Sequence, residues 1–166
     1  LLYLINNFLT QDQLEDIYFK ILDTRKWYLT RGSNQKELSG FCGLEIEDEH
    51  SDIFGFLVTN LRHRAKELGV NLSNKIERIH AIVKQKNAPV SFHQDTEDPN
   101  AYSFVGLLTP SWNKEWGGQF ETENKKIIFE PGQFVLIKSN QLHCGYGPSV
   151  DIPYWRLVIN IIMLGE

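Results

Sequence analysis

Two different periods divide the chain. Between residues 10 and 24, Leu14, Ile17, Tyr18, Ile21 and Leu22 recur at helical spacing, and between 51 and 68 Ile53, Leu57, Leu61, Ala65 and Leu68 do the same. Both runs predict amphipathic helices. Thr10 with Gln13 makes a capping box, Leu9 can staple onto Leu14, and Gly69 stands where a C-terminal cap belongs. The intervening TRGSNQKELSGFCG (30–43) predicts a long loop. From residue 75 the period shortens. IERIHAIVKQ, AYSFVGLLT, GGQFET, KKIIFE, GQFVLIKS and YWRLVINIIML are short runs rich in β-branched and aromatic residues, punctuated by Gly, Pro, Asn and Asp. EPGQ (130–133) puts Pro and Gly where a tight turn wants them. Helices first and closely spaced strands afterwards predict an α+β chain, an antiparallel sandwich or jelly roll buttressed by N-terminal helices. We expect a single domain over 1–166, with helical support over about 1–74 and a β core over about 75–164. No repeat or linker divides it.

Composition adds exclusions. The 166 residues are enough for one domain with a core, at 42% hydrophobic and 23% charged residues, which is ordinary for a globular protein. A formal net charge of −4 argues against nucleic acid or an anionic membrane as partner, since neither is drawn to an acidic field. Two cysteines, Cys42 and Cys144, form neither a disulfide framework nor a Cys-type zinc site, so a reducing cytoplasm is the expected compartment. The opening LLYLINNFL lacks the basic flank and cleavage site of a signal peptide, and no apolar run has the length of a membrane span.

Candidate chemistry begins at FHQDTED (92–98). If the chain is extended here, His93 and Asp95 share a side and Gln94 points away. The pair is either part of a solvated loop or two of the ligands of a metal. Of the other histidines, His50 precedes a helix, His63 lies in the charged LRHRAKE, and His80 is either pocket-facing or a hydrogen-bonded core residue. His143 follows a strand and a polar turn and precedes CGYGP, a position from which a jelly roll can bring it beside the first pair. Two histidines and a carboxylate on one face of an iron leave three positions open, whereas a structural zinc site wants four protein ligands. Arg156 interrupts a nearly continuous apolar strand. A guanidinium there either pairs with one of the chain's 21 acidic residues or waits for a dicarboxylate, which its fork can hold bidentately. Asn160 shares its face by strand parity, as a satisfied core amide or a pocket-lining group.

In order along the chain, FHQDTED, YSFVGLLTPSWNKEWGGQFE, FEPGQFVLIKSNQLHCG and YWRLVINI resemble the 2-oxoglutarate- and Fe(II)-dependent dioxygenases of the prolyl 4-hydroxylase-like kind. These motifs lie within residues 75–164, about half of the chain. The resemblance implies a double-stranded β-helix, iron held by His93, Asp95 and His143, and 2-oxoglutarate as cosubstrate bound by Arg156, with Asn160 beside it. It extends to ascorbate as an accessory reductant. It implies hydroxylation of an unactivated carbon, with peptidyl proline the nearest analogy and a small-molecule substrate also open. Two departures stand out. Many relatives carry Lys where this chain has Arg156. Many also carry a tyrosine nine or ten residues before the first histidine, where this chain reads IVKQ, leaving Lys84, Thr109 or Asn160 as stand-ins. TRGSNQKELSGFCGLEIEDEH (30–50), TEDPNA and PSWNKEW are expected at the pocket mouth, with Trp112, Trp116, Tyr146 and Tyr154 as aromatic surface. Two alternatives come from other classes: a metal-binding cupin-like jelly roll without 2-oxoglutarate chemistry, and a non-catalytic β-sandwich binding module.

Overall fold

The computed structural model describes residues 1–24, 27–30, 41–45, 51–88 and 90–166. Both expected helices form, α1 over Gln11–Leu22 and α2 over Ser51–Glu67. Thr10 and Gln13 cap α1 reciprocally, the Thr10 hydroxyl accepting from Gln13 N (3.3 Å) and the Gln13 side chain accepting from Thr10 N (3.0 Å). Beyond α2, Gly69 takes φ +79°, and the amides of Gly69 and Val70 return to Lys66 O and Ala65 O. That left-handed turn closes the helix, as its sequence position predicts.

The described residues contain ten strands, in chain order β1 Leu2–Ile5, β2 Tyr28–Thr30, β3 Phe41–Glu45, β4 Leu72–Lys84, β5 Ala101–Leu107, β6 Phe120–Thr122, β7 Lys125–Ile127, β8 Phe134–Lys138, β9 His143–Gly145 and β10 Leu157–Gly165. Seven make one antiparallel sheet in the order β1-β8-β5-β10-β4-β3-β2, and three make a second in the order β7-β6-β9. The second sheet is lengthened at one edge by a bridge, where His93 and His143 exchange backbone hydrogen bonds of 2.9 and 3.0 Å. Two facing antiparallel sheets with helices outside one of them make the expected jelly roll.

The expected helical support is therefore mixed. Residues 1–74 supply strands β1, β2 and β3 as well as the two helices. The segment read as a loop over 30–43 ends in β3, which pairs with β4 from Phe41–Lys84 to Glu45–His80; residues 31–40 lie outside the described residues. LLYLI becomes the outer strand against β8. Such short strands are fixed by a distant partner rather than by local alternation, so period alone does not find them.

Strand parity sorts β10 between two cores. Leu157, Ile159, Ile161 and Met163 join Leu14, Ile17, Ile21, Leu57 and Leu61 of the helices in one buried layer. Val158 turns the other way, toward Val105, Val135, Ile137, Phe120 and Phe129 between the sheets. Fully burying a leucine or isoleucine contributes about 1.5–3 kcal/mol, and this double burial explains why β10 reads as an almost unbroken apolar run. Polar side chains placed on the inner face must therefore find partners inside the sandwich.

Candidate active site

His93 and His143 face each other across the bridge, their rings 4.6 Å apart centre to centre. Each ring repeats one local device, its Nδ1 lying beside the carbonyl two residues earlier: Ser91 O at 3.0 Å for His93 and Gln141 O at 2.8 Å for His143. A carbonyl only accepts, so both Nδ1 atoms carry the proton and both Nε2 lone pairs are left for a ligand. Phe120 stacks on the His143 ring at 5.4 Å. Burial depresses the pKa of His143 against the opposing pull of Asp95, which keeps the ring neutral and able to coordinate.

Asp95 completes the group. Its amide donates to Ser139 O (2.8 Å), and its buried carboxylate accepts at Oδ2 from Ser103 Oγ (2.6 Å) and Asn160 Nδ2 (3.1 Å). Ser103 Oγ is itself 2.8 Å from Ser139 Oγ. Oδ1 lies 3.5 Å from Arg78 Nη2 and 3.8 Å from His93 Nε2, while Oδ2 is 3.6 Å from His143 Nε2. One ligand atom from each of His93, Asp95 and His143 falls within 4.8 Å of the other two. Adjacent ligands on an octahedral ion lie roughly 3 Å apart, given bonds of about 2.1 Å. The set is slightly open relative to that, with the right donor types and tautomers. Gln94 points away, its amide nitrogen donating to Asn140 O (2.5 Å).

A cavity runs from the two histidines along the inner face of β10 past Asn160 and Val158 to Arg156, with Ile82 and Lys84 of β4 on one wall. Arg156 is 3% exposed. Its guanidinium donates to Gly118 O and lies 5.6 Å from the Trp112 ring, and no carboxylate among the described residues pairs with it. Burial pushes its pKa down to about 10. Its Nε–H finds no acceptor, and Asn160 Oδ1 finds no donor. The orphaned Nε–H at the Arg156 end fits an anionic ligand, whereas Asn160 Oδ1, an acceptor, calls for a donor. Lys84 reaches the same cavity and donates to Gly145 O.

Other candidates fall elsewhere. Thr109 spends its hydroxyl on the backbone, donating to Trp155 O (3.0 Å) and accepting from Leu157 N (2.9 Å). His63 is a surface residue 3.3 Å from Glu67, and His50 lies outside the described residues. His80 stands opposite Asn160 on β4 but does not line the cavity; burial, then Arg78, pushes its pKa down to about 4. Trp112 of PSWNKEW lies at the Arg156 end of the cavity, whereas TEDPNA leaves from the ligand end, where Thr96 N donates to Ser139 O (3.4 Å). Sequence reasoning passed over Ser103, Ser139, Arg78 and Gly118. Ser103 had left a trace: a lone hydroxyl in AYSFVGLL needs a partner wherever that strand is buried.

This architecture is the double-stranded β-helix of 2-oxoglutarate- and iron-dependent oxygenases. The chain is similar to a viral collagen prolyl hydroxylase from Paramecium Bursaria Chlorella virus-1, solved as its 2-oxoglutarate complex. There the TM-score is 0.74 with 12% identity, over 98% of this chain and 96% of that one. A Pseudomonas putida prolyl-4-hydroxylase superposes with TM-score 0.74 and 18% identity over 99% and 92% of the two chains. An oxidoreductase of the 2OG-Fe(II) oxygenase family from Burkholderia pseudomallei gives 0.73 and 13%, over 98% and 84%. No family model matches the sequence. Among curated proteins, a UV DNA damage endonuclease of Bacillus cereus is 23% identical over 128 residues, 77% of this chain. The chain spans 38% of the length of that relative.

Proposed function

We propose that the chain is an Fe(II)- and 2-oxoglutarate-dependent oxygenase that hydroxylates an unactivated carbon. His93, Asp95 and His143 hold the metal, and Arg156 holds the far carboxylate of the cosubstrate. One observation carries this reading: three ligand side chains converge at one end of a cavity whose other end holds a buried guanidinium without an acidic partner among the described residues. Bound iron and 2-oxoglutarate would supply the activation of O2, one oxygen atom going to the substrate carbon and the other to succinate as CO2 leaves. The chain's own task is positional. The Ser91 and Gln141 carbonyls fix the two imidazole tautomers, and Ser103 and Asn160 fix the carboxylate. Phe120, Phe129, Val105 and Val158 line the cavity and keep it dry. Peptidyl proline is the first substrate class to test, because the structural neighbours include two prolyl hydroxylases.

The decisive experiment adds Fe(II) and 2-oxoglutarate to the protein without oxygen and looks for a metal-to-ligand charge-transfer band. Succinate release on admitting O2 with proline-containing peptides follows. Absence of both band and succinate refutes the proposal. A cupin-like metalloprotein would bind metal but gain no thermal stability from 2-oxoglutarate, and a binding module would bind neither. A second reading follows from the endonuclease similarity: the same three ligands could hold a metal that activates water against a phosphodiester. Nicking of ultraviolet-irradiated duplex by the Mn(II)-loaded protein would favour it, though the net charge of −4 opposes DNA binding.

A further inference from the structure

The Asp95 carboxylate has a closed side and an open side. Oδ2 faces inward, hydrogen-bonded by Ser103 and Asn160 and 3.6 Å from His143 Nε2, and there the His143 and Asp95 side chains are 4% and 3% exposed. Oδ1 lies 3.8 Å from His93 Nε2 and 3.5 Å from Arg78 Nη2, and those two side chains are 27% and 39% exposed. Solvent therefore reaches the ligand group on the Oδ1 side, and a guanidinium stands at that entrance. Arg78 shares a face of β4 with Ile82, which lines the cavity. Asp95 is the carboxylate paired with it among the described residues, at a distance long for a hydrogen bond, and the Arg78 Nε–H is buried without an acceptor. Ser103 and Asn160 already fix Asp95, so its geometry does not depend on the arginine. Without metal, the guanidinium and the carboxylate offset each other's charge. A divalent ion held by Asp95 would take over that carboxylate and leave Arg78 to be balanced by an anion from outside.

We infer that Arg78 anchors a carboxylate of the molecule that enters on the Oδ1 side, and that the anchor becomes available when metal occupies the site. Its guanidinium can then present a fork of N–H donors, Nε–H among them, to one carboxylate. That this molecule is the substrate of an oxygenase rests on the function proposed above, and on that reading the substrate is an organic acid rather than an uncharged stretch of peptide. The anchor itself needs a divalent ion but no oxygen chemistry.

The test uses protein saturated with Zn(II), which does not turn over, with 2-oxoglutarate present so that Arg156 is not the cation being read. Ligand-observed NMR titrations at constant ionic strength compare N-acetyl-L-proline and N-acetyl-L-phenylalanine with their primary amides. At least one acid should bind about tenfold or more tightly than its amide, the step expected for one charge-assisted hydrogen bond. Arg78→Gln should erase that preference, and Arg78→Lys, which keeps the charge but not the fork, should retain part of it. Withdrawing Zn(II) should erase it in the wild type, because Asp95 then reclaims the guanidinium. Zn(II) affinity, read by chelator competition, should not fall in Arg78→Gln. Equal binding of acid and amide in the wild type overturns the inference, as does a preference that survives Arg78→Gln or the loss of Zn(II). Weakened Zn(II) binding as the sole effect of Arg78→Gln also overturns it and leaves the arginine a support for Asp95. An intact charge-transfer band without the acid preference refutes only the anchor. An Arg78-dependent preference without the band refutes only the oxygenase reading.

Discussion

Replacing Gly118 by alanine tests how the buried arginine is held. Gly118 has φ +72°, and an added Cβ would lie 2.4 Å from Arg156 Nε and 2.9 Å from Trp112 Cζ2. Its neighbour Gly117 supplies the control. It has φ +77°, and a Cβ there meets exposed Ser149, at 3.0 Å to an Oγ that can rotate away and at an ordinary 3.4 Å to its backbone nitrogen. A positive φ of this kind costs an L-residue roughly 1–3 kcal/mol, so both variants should melt about 2–12 °C lower. Only Gly118→Ala must also push the guanidinium off the Gly118 carbonyl and out of its place. Losing a charge-assisted pair costs about 1.5–3 kcal/mol, so 2-oxoglutarate affinity should fall roughly 10- to 100-fold in Gly118→Ala and hardly at all in Gly117→Ala. Metal affinity should stay at the wild-type value in both, since neither glycine is near His93, Asp95 or His143. Calorimetric titration of metal and then of 2-oxoglutarate measures both quantities. Equal cosubstrate loss in the two variants, or none in Gly118→Ala, would refute the claim that this glycine exists to seat Arg156.

Further expectations follow from the same geometry. Ser103→Ala removes the 2.6 Å donor to Asp95 and should lower metal affinity about 10- to 100-fold, read by competition with a chromogenic chelator, with the fold unchanged in circular dichroism. His80 has a folded pKa of about 4 against an ordinary 6.5, so the unfolded chain binds its proton first as pH drops. Its contribution is complete above about pH 6.5 and is lost between there and pH 4, on the order of 3 kcal/mol at most. Urea titrations of metal-free protein at pH 7 and 4.5 should show that decline, and His80→Gln should flatten it. Thr10→Ala breaks the α1 capping box and should cost about 1 kcal/mol, a melting temperature some 2–4 °C lower, with metal binding untouched.

How much of this was legible in the sequence depends on how far each feature reaches. The helices were, because Leu14, Ile17, Tyr18 and Ile21 carry their period within one segment and Thr10 marks the start. The central strands were, because β4, β5, β8 and β10 each carry a run long enough to read. The outer strands β1, β2 and β3 were not, since three to five residues become a strand only when β8 or β4 lies alongside. At the site, the His93–Asp95 parity and the shared face of Arg156 and Asn160 could be read from local alternation. The hydrogen-bond partners of Asp95 could not. Ser103 and Ser139 come from β5 and the end of β8, and they meet Asp95 only because the two sheets close over it. Asn160 shows the same limit. Its place beside the cavity was foreseen, but its amide nitrogen is given to Asp95, and only its Oδ1 is left facing an unmet need.

The two ends of the cavity divide the labour along β10. Asn160, four residues beyond Arg156 at about 3.3 Å per residue, lies some 13 Å along the strand from it. One end thus belongs to His93, Asp95 and His143, the other to Arg156. β5 runs the same course in reverse, from Ser103 beside Asp95 to Leu107, after which Leu108 N donates to Leu157 O. PSWNKEW therefore begins next to Arg156, and its Trp112 closes that end over the guanidinium rather than opening onto the metal. The expectation that this segment borders the mouth gives way to a different rim. Phe92 and Leu142, 46% and 39% exposed, flank the two histidines, with Arg78 beside Asp95. Under the proposed function, a substrate carbon would approach the metal from the side that the cosubstrate does not fill. On that proposal, discrimination among substrates would fall to Phe92, Leu142 and Arg78, an apolar rim with one cation.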